Sequence, residues 1–258
     1  MTTTTGASDL SHRSDLDGQT VVVIGGSSGM GLETARLARA RGAEVVLVAR
    51  DPDRLRNAAE QVEATTTATF DATDLEQLRT FFEDLPDPID HILLTGSGPY
   101  YSPLSDMDFT AARRDIENHL LVALAVARYG AARMRPPGTL LFIGGTGGRQ
   151  AGIGLTLLSA MTAAQPALVA NLAVELAPIR VNLIACGFVD TPLSATLLGD
   201  QLEDRRAELR ATLPIGRVVG PADVAELAVH LMTNTALTGA TYDIDGGQQL
   251  LSNRGGTR

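Results

Sequence analysis

Lysine is missing from this chain altogether: every one of its 21 basic residues is an arginine. Acidic residues number 30 and the formal net charge is −9, which argues against the basic face that a nucleic-acid partner requires. A single cysteine, Cys186, excludes an intramolecular disulfide framework and suits a reducing compartment, the cytoplasm. No uninterrupted apolar run of about 20 residues occurs, so no membrane span is expected. Residues 1–15 are polar and lack the apolar core of a signal peptide; they are expected to form a mobile tail.

What the chain does have is an ordinary globular composition, 44% hydrophobic and 20% charged, over 258 residues. Its organising stretch is Thr20 to Gly31, T-V-V-V-I-G-G-S-S-G-M-G. Thr20 to Ile24 are all β-branched and read as a strand buried on both faces. The glycine-rich turn Gly25 to Gly31 follows, and Leu32, Ala35, Leu37 and Ala38 then recur at helical spacing. Strand, glycine turn and helix make a phosphate site. Glycines let the backbone approach a diphosphate, whose charge meets the unpaired N–H groups at the helix N-terminus.

From residue 19 onward, strand and helix patterns alternate with short breaks. Strands are expected at 44–49, 66–70, 89–94, 138–143, 180–185 and 240–244. Helices are expected at about 53–63, 74–83, 108–134, 166–176 and 221–232. Pro166 is expected to kink or begin a helix, leaving Thr162 in a loop or first turn. No linker interrupts the alternation, which predicts a single α/β domain over 16–258. Its core is a Rossmann-type doubly wound parallel sheet of about seven strands, with the ligand crevice at the strands' carboxyl ends.

Several motifs in order resemble the short-chain dehydrogenase/reductase family. Gly25, Gly29 and Gly31 match its cofactor loop, Asp71 in D-A-T-D its adenine-contacting acid, and Asn118 the asparagine of its long central helix. Asn171 to Asn182 resembles the segment before its sixth strand. Cys186 to Pro192 resembles P-G-x-x-x-T-P with cysteine in the first place, and Asp245-Gly246-Gly247 matches its carboxyl-terminal signature. The resemblance implies a nicotinamide dinucleotide held by Gly25, Ser27, Ser28, Gly29, Met30, Gly31, Arg50, Asp71, Ala72, Gly96, Gly98, Gly187, Val189 and Thr191. It further implies a small-molecule substrate, a homodimer or homotetramer, and a substrate lid over about 193–213, where apolar residues at helical spacing alternate with charge. No metal site is expected.

Cofactor choice is read at the end of the second strand. An NAD-preferring site usually carries a carboxylate there for the ribose hydroxyls. Here Ala49 is followed by Arg50, whose planar fork of donors suits a ribose phosphate. NADP(H) is therefore favoured over NAD(H), with Asp51 complicating the local field.

The catalytic positions depart from the family. Its serine, tyrosine and lysine positions fall on Gly145, Leu158 and Thr162, so only Asn118 remains. A phenol with a pKa of about 10 needs a neighbouring cation to act as acid and base at neutral pH, and leucine offers neither proton nor charge. Asn118 and Thr146 are the candidate catalytic residues. His119 is titratable, yet on a regular helix it points about 100° from Asn118 and reads as structural. Tyr100 and Tyr101 lie in the loop after the fourth strand and are candidates to reach over the site. Cys186 reads as a small buried hydrophobe. The expected function is an NADP(H)-dependent oxidoreductase acting on a small carbonyl or alcohol by an atypical proton transfer. The alternatives are a non-redox enzyme, such as a dehydratase, isomerase or cyclase, and a catalytically inactive NADP(H)-binding protein.

Overall fold

A computed structural model describes residues 15–85 and 88–251. Apart from Asp15, the expected N-terminal tail lies outside the described residues. The chain runs β1 (Thr20–Ile24), α1 (Gly29–Ala40), β2 (Glu44–Ala49), α2 (Pro52–Val62), β3 (Thr66–Thr69), α3 (Leu75–Asp84) and β4 (Ile89–Leu94). It continues with α4 (Phe109–Ile116), α5 (Val122–Ala131), β5 (Met134–Gly145), α6 (Thr156–Glu175), β6 (Arg180–Cys186), α7 (Pro192–Leu198), α8 (Leu202–Thr212), α9 (Pro221–Thr233), β7 (Thr241–Ile244) and α10 (Gln248–Leu251).

The seven strands form one sheet in the order β3-β2-β1-β4-β5-β6-β7, and every pairing is parallel. Alternate residues of β1 serve opposite faces. Val22 and Ile24 enter the core with Phe82, Val126 and Val169, whereas Val21 and Val23 pack with Ala35, Leu55 and Val224. Helices therefore cover both sides, as continuous β-branched strands require. The strand order reverses between β1 and β4, and the Thr95 N–H donates to Ile24 O at 2.9 Å across that reversal. A ligand crevice belongs at the carboxyl ends of these two strands.

Three departures from the sequence-based expectation have physical causes. The long helix expected over 108–134 is α4 and α5 joined by a π-helical segment, Glu117–Leu121, in which the Val122 N–H donates to Glu117 O. It ends at Ala131, and Met134 already belongs to β5, which pairs through Ile89↔Met134 and then, after a bulge, His91↔Thr139. Third, α6 runs through Pro166 without stopping, so Thr162 lies in mid-helix rather than in a loop or first turn. Proline removes one backbone bond there, while Thr162, Gln165, Val169 and Leu172 form a continuous buried stripe that holds the helix on the sheet.

By length and mean hydropathy (1.5), α6 is also apolar enough to cross a membrane, although no uninterrupted apolar run was expected. Its buried stripe packs as a layer of the sandwich, and Val174 on its outer side is exposed.

Candidate functional site

A groove of about 440 Å³ opens at the carboxyl ends of β1, β2 and β4. Its floor is the turn into α1. A methyl group on Gly31 would overlap the Gly25 carbonyl oxygen, so only glycine lets the two backbones approach there. The N-cap residue Ser28 makes no side-chain cap, and no acidic residue stands in the first turn of α1. The first N–H groups of this helix therefore remain available to an anion.

At one end of the groove stand Arg50, Asp51, Arg54, Asp71 and Ala72. Asp51 does not face a ligand as an unengaged charge, because its carboxylate accepts from the Asp53 and Arg54 N–H groups and caps α2. Arg50 lies 3.8 Å from Asp71 in a solvent-exposed pair. Asp71 turns its other oxygen to the Thr73 N–H and hydroxyl. Arg54, absent from the sequence-based candidates, is a second guanidinium at the same end. Its signal was its place four residues beyond Arg50, past a proline that starts the helix.

The other end is lined by Thr95, Gly96, Ser97, Gly98 and Asn118, with Thr191 and Leu193 above. Ser97 adds something the sequence did not flag. Its hydroxyl is buried without a hydrogen-bond partner among the described residues, as a donor awaiting a ligand would be. Thr191 caps α7, and Leu193, two residues on, overhangs Gly98. The lid expected over 193–213 is α7, a single turn and α8, held to the strand-end loop by Arg206, which meets Asp190 at 2.6 Å. Gly187 and Val189 are the two proposed cofactor residues that do not line this groove.

Residues 24–249 match the family model described as enoyl-(acyl carrier protein) reductase. The chain belongs to the short-chain dehydrogenase/reductase family. It is 29% identical to the short-chain dehydrogenase/reductase ATR9 of Stachybotrys chlorohalonatus, over 89% of this chain and 96% of that one. Among solved structures it resembles the MalC reductase/Diels-Alderase of Malbranchea aurantiaca, with a TM-score of 0.85, 26% identity and coverage of 92% and 99%. It also resembles an NADPH-bound short-chain oxidoreductase of Pseudomonas aeruginosa PAO1 described as containing an atypical catalytic centre, with a TM-score of 0.83, 25% identity and coverage of 90% and 97%.

In this short-chain dehydrogenase/reductase, the space beside the Thr162 side chain is occupied by backbone. The turn Gly147–Arg149 lies against α6, and a Cβ on Gly148 would stand 2.5 Å from Thr162 Oγ1 and 2.8 Å from Leu158 O. Thr146 is fully buried, and both its N–H (2.8 Å) and its hydroxyl (3.3 Å) donate to Cys186 O. That engagement turns the candidate hydroxyl away from the groove. Tyr100 is likewise engaged, its hydroxyl accepting from the Asp108 N–H at 2.9 Å at the start of α4. Tyr101 is exposed, and neither tyrosine lines the groove. Burial pushes the Cys186 thiol up to about 12, so it stays protonated beside the Met30 sulfur, 3.8 Å away.

His119 departs most from expectation. It and Asn118 both line a second, small cavity that Gly96 also borders. The regular-helix angle does not apply inside the π-helical segment.

Proposed function

We propose that this short-chain dehydrogenase/reductase binds NADP(H) in the groove and interconverts a small carbonyl compound and its alcohol, taking its proton from a group other than a tyrosine. The observation that carries the reading is the groove itself: an open helix N-terminus in the middle and two guanidiniums at one end. The bound nicotinamide supplies or accepts the hydride. The first turn of α1 meets the diphosphate, Arg50 and Arg54 face the ribose phosphate, Asp71 and Ala72 border the adenine, and Ser97 and Asn118 border the nicotinamide end. The Pseudomonas relative's bound NADPH and atypical centre support the same assignment.

A second reading, a non-redox transformation with the cofactor in a supporting role, draws on the aliphatic side chain at Leu158 and the backbone-filled space at Thr162. The reductase/Diels-Alderase activity of MalC is in keeping with it. Exposed Leu121 and Leu124 on the π segment and α5, with Val174 on α6, support a homodimer or homotetramer, and sedimentation measures that state directly.

Titration with NADPH and NADH, followed by NADPH oxidation against a panel of aldehydes, ketones and quinones, tests the main reading. Tighter NADPH binding with oxidation by some panel members is expected. Binding without oxidation anywhere in the panel would transfer the assignment to the second reading. Absence of binding would end both.

A further inference from the structure

Behind the groove sits a titratable pair that the cofactor assignment leaves unused. Asp115, in the last turn of α4, is buried, and the Tyr100 N–H also holds its carboxylate. One helical turn later, His119 Nδ1 lies 2.9 Å from Asp115 O and 3.2 Å from Asp115 Oδ1. An Nδ1–H donating to both oxygens fixes the ring and leaves Nε2 as the site that gains or loses a proton. No described residue pairs with Nε2. It is aimed toward Gly96, where a Cβ would stand 3.8 Å away.

The space in front of it is the small cavity, about 20 Å³, enough for one water, which Asn118 and Gln165 could anchor. Leu94, Gly96 and Asn118 line this cavity and the large groove alike, so the two spaces adjoin at these three residues. The other walls, from β5, β6 and α6, contribute apolar side chains and Gln165. Asp115 is thus the charged group facing the imidazole. Desolvation pushes the Asp115 carboxyl up, while His119 and the Tyr100 N–H pull it down.

We propose that His119 is the acid–base group of this site, exchanging its Nε2 proton with the substrate oxygen through one water, and that Asp115 is its positioning residue. The proposal rests on the NADP(H) reading. In the reducing direction a C–H bond forms at the carbonyl carbon with the hydride pair from the dihydronicotinamide, and the C=O π pair moves to oxygen. That oxygen takes a proton from the water, the water takes one from Nε2–H, and the neutral imidazole regains its proton from solvent. Oxidation reverses each transfer. The pair stands in for the phenol and cation that Leu158 and Thr162 cannot supply.

The test needs no substrate. NADP⁺ carries a positive nicotinamide ring and NADPH a neutral one, so an imidazolium nearby disfavours the oxidised form. The ribose phosphate is common to both and cancels in their ratio. Between pH 5 and 9, Kd(NADP⁺)/Kd(NADPH) should fall by about threefold or more as His119 loses its proton. His119→Gln should flatten that curve while retaining NADPH affinity at pH 8. Asp115→Asn should move the midpoint to lower pH, since the carboxylate favours the imidazolium.

A flat ratio in the unmodified chain, or an unchanged slope in His119→Gln, overturns the proposal. If His119→Gln does not fold, the ¹⁵N resonances of His119 in the unmodified chain decide. The titration midpoint must be lower with NADP⁺ than with NADPH, and equal midpoints overturn the assignment. Failure of either cofactor to bind overturns the parent reading, and the pair with it.

Discussion

Replacing Arg50 with alanine should separate the two nicotinamide cofactors, and the size of the effect follows from what Arg50 touches. Its guanidinium is 71% exposed and lies 3.8 Å from Asp71, itself 49% exposed. An exposed pair of this kind is worth about 0–1 kcal/mol, so redirecting Arg50 to a ribose phosphate costs little. A charge-assisted bond to that phosphate contributes about 1.5–3 kcal/mol. The difference, about 1–2 kcal/mol, corresponds to a loss of roughly 5–30-fold in NADPH affinity. NADH carries no such phosphate and should change by less than about twofold within this accounting.

The assay is the enhancement of NADPH and NADH fluorescence on binding, at low and high salt, because a surface contact weakens as the Debye length shrinks. Arg54→Ala should act in the same direction. Equal losses for NADH and NADPH, or no loss of NADPH in the Arg50, Arg54 double variant, would refute the phosphate assignment.

Gly31→Ala should abolish measurable NADPH binding and lower the melting temperature, because the added methyl meets the Gly25 carbonyl oxygen; unchanged binding would show that the turn can relax. Leu158→Tyr with Thr162→Lys should not create carbonyl reductase activity. Overpacking of the lysine at 162 against Gly148 costs about 1–3 kcal/mol, or about 2–4 °C of melting temperature for each kcal/mol, as read by calorimetry and NADPH oxidation. His91 is held down to about 4 by burial, with its Nε2 2.7 Å from Gln19 Oε1. The unfolded chain therefore binds the extra proton first. Stability conferred by neutral His91 is full above about pH 6.5 and is lost as pH falls toward about 4, by up to about 3 kcal/mol. His91→Gln should flatten that part of a urea-midpoint versus pH curve, and an unchanged slope would place the acid sensitivity elsewhere.

The sheet and the glycine turn into α1 were legible because both are written locally. The β-branched run at 20–24, closed by glycine, and the valine-rich run at 44–49 both read as strands, and the glycine turn at 25–31 brings backbones together. What escaped was written in tertiary contact. Proline at 166 is a local stop signal, yet the stripe Thr162, Gln165, Val169 and Leu172 packs strongly enough to carry α6 through it. The π-helical segment at 117–121 has no sequence signature. Without it, the angular argument set His119 apart from Asn118. Asp115 and His119 did carry a readable sign, four-residue spacing on one helix, but its meaning depends on burial. Ser97 offered none. Arg54 was readable once α2 was known to start at Pro52.

The backbone packed against Thr162 also bears on how such a chain changes over generations. Tyrosine without a neighbouring cation gains no acidity, a cation without tyrosine gains no proton donor, and a longer side chain at 162 meets the Gly148 turn. A tyrosine–lysine pair is thus reached from this chain only by two changes made together, since neither alone adds a working acid–base group.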